Sequence, residues 1–229
     1  MNMHEVSRVC RAEHPWAVAV LHWVGITLLL GAVAFLVRWF VDGRKGLEPA
    51  FPRAEVVALV VVGLVAMAPW LLRMRLEGRL AEAASKVSGR PVQVQCQSFA
   101  AAFFDATANL GYVPYTADGD AIPTTLIKRN QCRDLARYLS SDKENPTRAQ
   151  IVAVHVLTHE VMHMAGVTSE AEAECMAVRH DAEMAARLGA SERAADELAL
   201  SYWREVYPHM PDEYRSSECT LDGTAGVTV

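Results

Sequence analysis

Two histidines four residues apart, with a glutamate directly after the first, are the residues of this chain best spaced to do chemistry: His159-Glu160-Val161-Met162-His163. On a helix, side chains four apart share a face, so His159 and His163 can offer ring nitrogens to one divalent cation, at the ~2.0–2.1 Å typical of zinc–nitrogen bonds. Glu160 is rotated about a third of a turn from His159 and points beside such a cation, where a base can take a proton from water. Zinc lowers the pKa of a bound water to ~7 and polarises a carbonyl group. The trio therefore predicts hydrolysis, with zinc on the histidines and Glu160 as general base. The bland alternative is two histidines on a core helix with Glu160 facing water, because the pattern fixes only three residues.

The chemistry requires a helix, and the segment around the trio reads as one. Asn145-Pro146 offers an N-cap and a first-turn proline. No glycine and no further proline occurs before Gly166, which stands where a helix stop is expected. Ile151, Val152, Val154, Val156, Leu157 and Val161 supply an apolar face to bury. Ser169-Glu170-Ala171-Glu172 fits a capping box and opens a second helix, running to about Leu188 before Gly189.

With its HExxH core, the chain resembles the zincin metallopeptidases. The gluzincin branch takes a third zinc ligand, a glutamate, from a downstream helix, and its membrane-bound HtpX-like members carry a Glu-x-x-Ala-Asp segment there. Glu170-Ala-Glu-Ala173-Glu174 is similar, with Glu174 where the family has Asp. The resemblance covers roughly residues 146–180. It implies Glu170 as third ligand and Glu174 as a residue supporting the ligands. The spacing departs from that branch, because only six residues separate His163 from Glu170. The metzincin run HExxHxxGxxH has short spacing and accounts for Gly166, but Ser169 occupies its third-histidine position and no Met-turn is identifiable. A sharp reversal at Gly166 lets Glu170 reach back, and Glu170 is preferred to Glu174 as ligand. Glu172 is read as the capping acid.

Other residues carry weaker signals. His155, one turn before His159, is a fourth ligand, a supporting group or a buried, hydrogen-bonded histidine, the last being preferred. His180, Tyr202, Tyr207, His209 and Tyr214 are candidate donors to a developing oxyanion. The β-prone runs Tyr112–Thr116 and Ile122–Ile127, around Asp118-Gly119-Asp120, predict a hairpin whose edge can pair with an extended peptide.

The elements that must hold these residues follow a division in charge. Residues 1–75 hold 8 basic and 5 acidic residues, a formal +3, against 14 and 22 in the remainder, a formal −8. An acidic second part without a basic stripe excludes nucleic acid as a partner. Trp16–Val37 and Val56–Leu72 contain no Asp, Glu, Lys or Arg, and at ~1.5 Å per residue both approach or exceed the length needed to cross a bilayer. Spans of about 16–38 and 54–72 are expected, joined by the glycine- and proline-bearing stretch Asp42–Arg53. The first run exceeds the apolar core of a cleaved signal peptide, and His22 within it reads as an interfacial or helix-packing residue. Both termini then lie on one side of the membrane. Flanking Arg and Lys slightly favour the cytoplasm. The four cysteines beyond the spans suit two disulfides outside the cell, Cys96–Cys132 and Cys175–Cys219 by proximity alone, or four buried thiols.

The expected architecture is α+β and mainly helical. It comprises a tail (1–15), a transmembrane hairpin (16–73), a linker helix (74–90), a small zincin-like domain (91–215) and an irregular tail (216–229). Within the domain a short strand at Pro91–Cys96 is followed by helices at Ser98–Leu110, Gln131–Leu139 and Ser191–Val206. The function this predicts is zinc-dependent peptide hydrolysis by a membrane-anchored domain, with the lipid bilayer and a peptide or protein substrate as partners. The alternatives are a non-catalytic zinc-binding sensor or scaffold, and a membrane interaction protein with a chance motif.

Overall fold

A computed structural model describes residues 16–45, 51, 53–97, 110–116 and 120–221. The described residues fall into two units that divide between Arg75 and Leu76. Residues 98–109 of the helix expected over Ser98–Leu110, the Asp118-Gly119 turn and both tail ends lie outside the described residues.

The first unit contains α1 (Trp16–Arg44) and the opening of α2 (Arg53–Ser88). Both helices are long and apolar enough to cross a membrane. Their packing depends on two glycines. A Cβ on Gly25 would lie 3.0 Å from the Gly63 carbonyl oxygen, and one on Gly63 would lie 3.2 Å from that of Gly25. The backbones therefore approach as small residues allow, which is how helices gain contact where no hydrophobic force drives them together. His22 packs on Trp70 with ring centroids 4.3 Å apart. Leu30, Val33, Phe40, Val61, Leu64 and Val65 face outward. α2 passes through Pro69 and continues to Ser88, so the expected linker helix is its continuation. Nothing in the sequence around Arg73–Arg75 breaks a helix, and a change from apolar to charged side chains does not do so by itself.

In the second unit the end of α2 joins a core with a three-stranded sheet, β1 (Gln93–Cys96), β2 (Gly111–Tyr112) and β3 (Thr124–Ile127), in the order β1-β3-β2. β1 is parallel to β3, and β2 is antiparallel to it. The ladder is shorter than the expected hairpin because Pro114 and Pro123 have no N–H to give; beyond them, among the described residues, the isolated Tyr115–Ala121 bridge follows. Lys128 N donates to Leu110 O at 3.0 Å, making that pair hydrogen-bonded and the adjacent Gly111–Ile127 pair non-bonded. The N–H and C=O of Gly111 thus turn away from β3, toward the open side of the sheet.

Among the described residues four α-helices follow the sheet: α3 (Arg129–Ser140), α4 (Arg148–Met164), α5 (Glu170–Arg187) and α6 (Glu192–Glu205). α4 lies at the centre, with Ala153, Val154, Leu157, Val161 and Met164 fully buried. Its cap is Thr147, not Asn145: Thr147 accepts from Gln150 N, and the Gln150 side chain accepts from Thr147 N at 2.7 Å. That box satisfies two orphan donors where Asn145 would satisfy one. At the other end Gly166 adopts φ 104°, Gly166 N donates to His163 O, and Val167 N donates to Met162 O. This is a Schellman stop, which reverses the chain within a few residues. Ser169 precedes α5 without a side-chain cap bond, so the expected Ser169/Glu172 box does not form; two acidic residues in the first turn complement the helix dipole instead. Disulfides join Cys96 of β1 to Cys132 of α3, and Cys175 of α5 to Cys219.

Candidate metal centre

Helical periodicity sets His155, His159 and His163 in one row along α4, turned toward α5. The reversal at Gly166 brings the first two turns of α5 alongside, so Glu170 and Glu174 meet that row. His159 Nε2 lies 3.0 Å from His163 Nε2, and Glu170 Oε2 lies 3.0 Å from the former and 3.3 Å from the latter. The three side chains form a group that can hold a metal ion.

The opposite ring nitrogens show whether the group suits a cation. His163 Nδ1 donates to Val167 O at 2.7 Å, and His159 Nδ1 donates to Glu174 Oε2 at 3.1 Å. With each Nδ1 protonated, both Nε2 atoms of the neutral rings present lone pairs. Two lone pairs and a carboxylate oxygen then converge within 3.3 Å. That arrangement repels itself unless a proton or a cation sits among the three. The residues present fit a metal.

Electrostatics carry the same signature. Burial opposes a charge on His159, but its hydrogen bonds to Glu170 and Glu174 prevail and raise its pKa to about 9. Hydrogen bonds from His159 and His163 in turn hold Glu170 down to about 2. Burial pushes Glu160 up to about 7, against the pull of His159 and His163. Glu160 is only 5% exposed, and its Oε2 has no hydrogen-bond partner among the described residues. It is also confined from above. A Cβ on Gly111 would lie 2.8 Å from Glu160 Oε1, so any side chain at position 111 must displace this carboxylate.

The group opens into a cavity of about 670 Å³, with Leu110, Tyr112, Val152, Val156, Val206 and Met210 among its apolar walls. Tyr115 and Tyr214 also line it, the latter with its ring centroid 5.9 Å from that of His159. Burial raises both phenols, helped by the negative charge of Glu170.

The other residues expected from the sequence are placed elsewhere or already engaged. Both ring nitrogens of His155 are occupied, by Asp181 at 2.8 Å and Glu174 at 3.0 Å. With His159 and Glu174 it forms a second group close enough for an ion, although its contacts there are hydrogen bonds onto one oxygen. Tyr202 donates to Glu174 Oε1 at 2.6 Å, Tyr207 bonds to the Ser216 backbone, and His180 bonds to Met176 O on its own helix. None of these is free to donate into the cavity. His209 and Glu172 are exposed and do not line it. Sequence reasoning missed Gly111, Tyr115 and Asp181. Only Asp181 left a signal: Glu170, Glu174 and Asp181 recur at intervals of 4 and 7 on one helix face.

Compared with known protein families, with curated proteins and with solved structures, the chain matches none.

Proposed function

We propose that this chain is a membrane-anchored, zinc-dependent peptidase. The observation that carries the reading is the convergence of His159 Nε2, His163 Nε2 and Glu170 Oε2 beside an unpartnered, buried Glu160 oxygen on the wall of an open cavity. Two imidazoles and one carboxylate suit zinc, and three protein ligands leave a position open, as in catalytic sites. When bound, zinc supplies Lewis-acid activation of water and of the substrate carbonyl. The resemblance to gluzincins supports the same assignment.

The chain's own groups do the remaining work. Glu160 Oε2 accepts the proton of the attacking water and returns it to the leaving nitrogen. Burial, which favours the neutral acid over the carboxylate, assists the half in which Glu160 holds the proton. The outward N–H and C=O of Gly111 pair with the substrate backbone, as a sheet edge does with an extended peptide. The phenols of Tyr115 and Tyr214 are placed to donate to the oxygen on which charge develops. The apolar walls take up a non-polar side chain and exclude water. Two disulfides favour an oxidising compartment for the domain.

A non-catalytic zinc domain needs neither an open cavity nor a buried carboxylate with a spare oxygen. The deciding experiment measures zinc content and hydrolysis of an unstructured polypeptide in full-length protein. Wild type should hold one zinc per chain. Glu160→Gln should keep it while losing roughly 10²–10⁴-fold in rate, the scale of general-base catalysis. Wild-type protein without zinc at neutral pH overturns the proposal, and full activity in Glu160→Gln overturns its catalytic half.

A further inference from the structure

On the Nδ1 side of His159 lies a buried cluster, at the inner wall of the cavity, that none of these steps uses. Glu174 is 1% exposed, Asp181 0% and His155 2%. His155 bridges the two carboxylates, with Nδ1 2.8 Å from Asp181 Oδ2 and Nε2 3.0 Å from Glu174 Oε2. Its ring stacks on Tyr202 at 3.5 Å between centroids and 11° between planes. The Tyr202 hydroxyl donates to Glu174 Oε1 at 2.6 Å, while Glu174 Oε2 also accepts from His159 Nδ1 at 3.1 Å. Each oxygen of Glu174 is thereby engaged, by residues on two different helices, and the carboxylate cannot rotate without breaking several bonds at once.

Such a cluster is a poor way to stabilise a fold. Burying two carboxylates carries a heavy desolvation penalty, and apolar side chains of the same volume fill space as well or better. Its consequence falls on His159. An imidazole whose Nδ1–H is held by a fixed carboxylate keeps its Nε2 lone pair in one direction, and partners of this kind typically contribute ~10–100-fold in metal affinity.

We infer that His155, Asp181 and Tyr202 are positioning residues that lock the Glu174 carboxylate and, through it, commit His159 to the form that binds metal through Nε2. The inference rests on reading His159, His163 and Glu170 as metal ligands. Asp181 acts at one remove: it orients His155, which orients Glu174. Tyr202 acts directly on Glu174 and also covers the His155 ring.

Three substitutions in the full-length protein test this, with Zn²⁺ affinity read by chelator competition. Tyr202→Phe deletes one hydroxyl and keeps the ring stack. Asp181→Leu removes the acceptor for His155, and Asp181→Asn keeps one. Tyr202→Phe and Asp181→Leu should each weaken zinc binding by ~10–100-fold, and Asp181→Asn should restore most of the loss. In the zinc-loaded protein the His159 Nδ1–H proton should exchange faster with solvent in the first two variants and stay protected in the third. Normal affinity and protection in Tyr202→Phe, with both disulfides and helix content intact, overturns the inference. If Asp181→Leu does not fold, the single hydroxyl of Tyr202 decides. Failure of the wild type to bind zinc would instead remove the metal-centre reading itself.

Discussion

The two ring nitrogens of His159 face opposite surroundings. On the Nε2 side the partners are His163 and Glu170, the carboxylate side chain is 46% exposed, and a cavity opens beyond. On the Nδ1 side the partners are Glu174 and, behind it, His155, Asp181 and Tyr202, all nearly inaccessible. Both sides are built from a histidine one turn away on α4 and a glutamate from the start of α5. What separates them is access. On the closed Nδ1 side both Glu174 oxygens and both His155 ring nitrogens are engaged within the cluster, and Asp181 Oδ1 is its one atom without a partner among the described residues; on the open Nε2 side Glu160 Oε2 lacks a partner beside a cavity. An unsatisfied polar atom in a buried setting is costly, and beside a cavity an incoming molecule can satisfy it.

Four measurements would break or sharpen that contrast. The largest effect is expected from removing a group on the open side. His163→Ala should weaken zinc binding beyond the ~10–100-fold that supporting partners contribute, measured as metal retained after dialysis against a chelator; an affinity within that range would erase the distinction. Gly111→Ala comes next. Its methyl group must displace Glu160, and a misplacement of about 1 Å costs on the order of 10²-fold in rate, so kcat should fall while zinc content holds.

A third, smaller effect is proton release. His159 is protonated up to about 9 in the metal-free chain, and metal must displace that proton. Zinc affinity should therefore fall as pH drops below about 9, with proton release visible by calorimetry in two buffers. The smallest effect belongs to the closed side. Burial opposes charge on His155, yet Asp181 and Glu174 raise its pKa from 6.5 to about 10. A raised pKa contributes stability that is complete below about 6.5 and lost as pH rises through about 10. The Tm of metal-free protein should decline over that window, and a flat profile would mean that His155 carries no charge.

The sequence displayed much of this arrangement because helical periodicity is local. Residues 159 and 163 share a face wherever a helix forms, and the stop at Gly166 is written in one residue. The two long apolar helices were equally legible, since length and composition decide them. What the sequence could not display depends on three-dimensional neighbours. Tyr202 carries the same donor whether its hydroxyl faces substrate or, as here, Glu174. The steric constraint on position 111 comes from Glu160, 49 positions later. Thr147 took the cap that Asn145-Pro146 advertised because Gln150 lies within reach of it. The central place of β3, paired in parallel with β1, depends on a crossover that periodicity does not describe.

The Schellman reversal at Gly166 also makes the contacts of the site unequal in sequence separation. His159 and Glu170 are 11 residues apart, whereas His155 lies 26 residues from Asp181, and Glu174 lies 28 from Tyr202. Short loops close at little entropic cost and early in folding. One helical hairpin can therefore gather the three candidate ligands before α6 docks, and a cation captured at that stage would template the docking of the helices that later hold it in place.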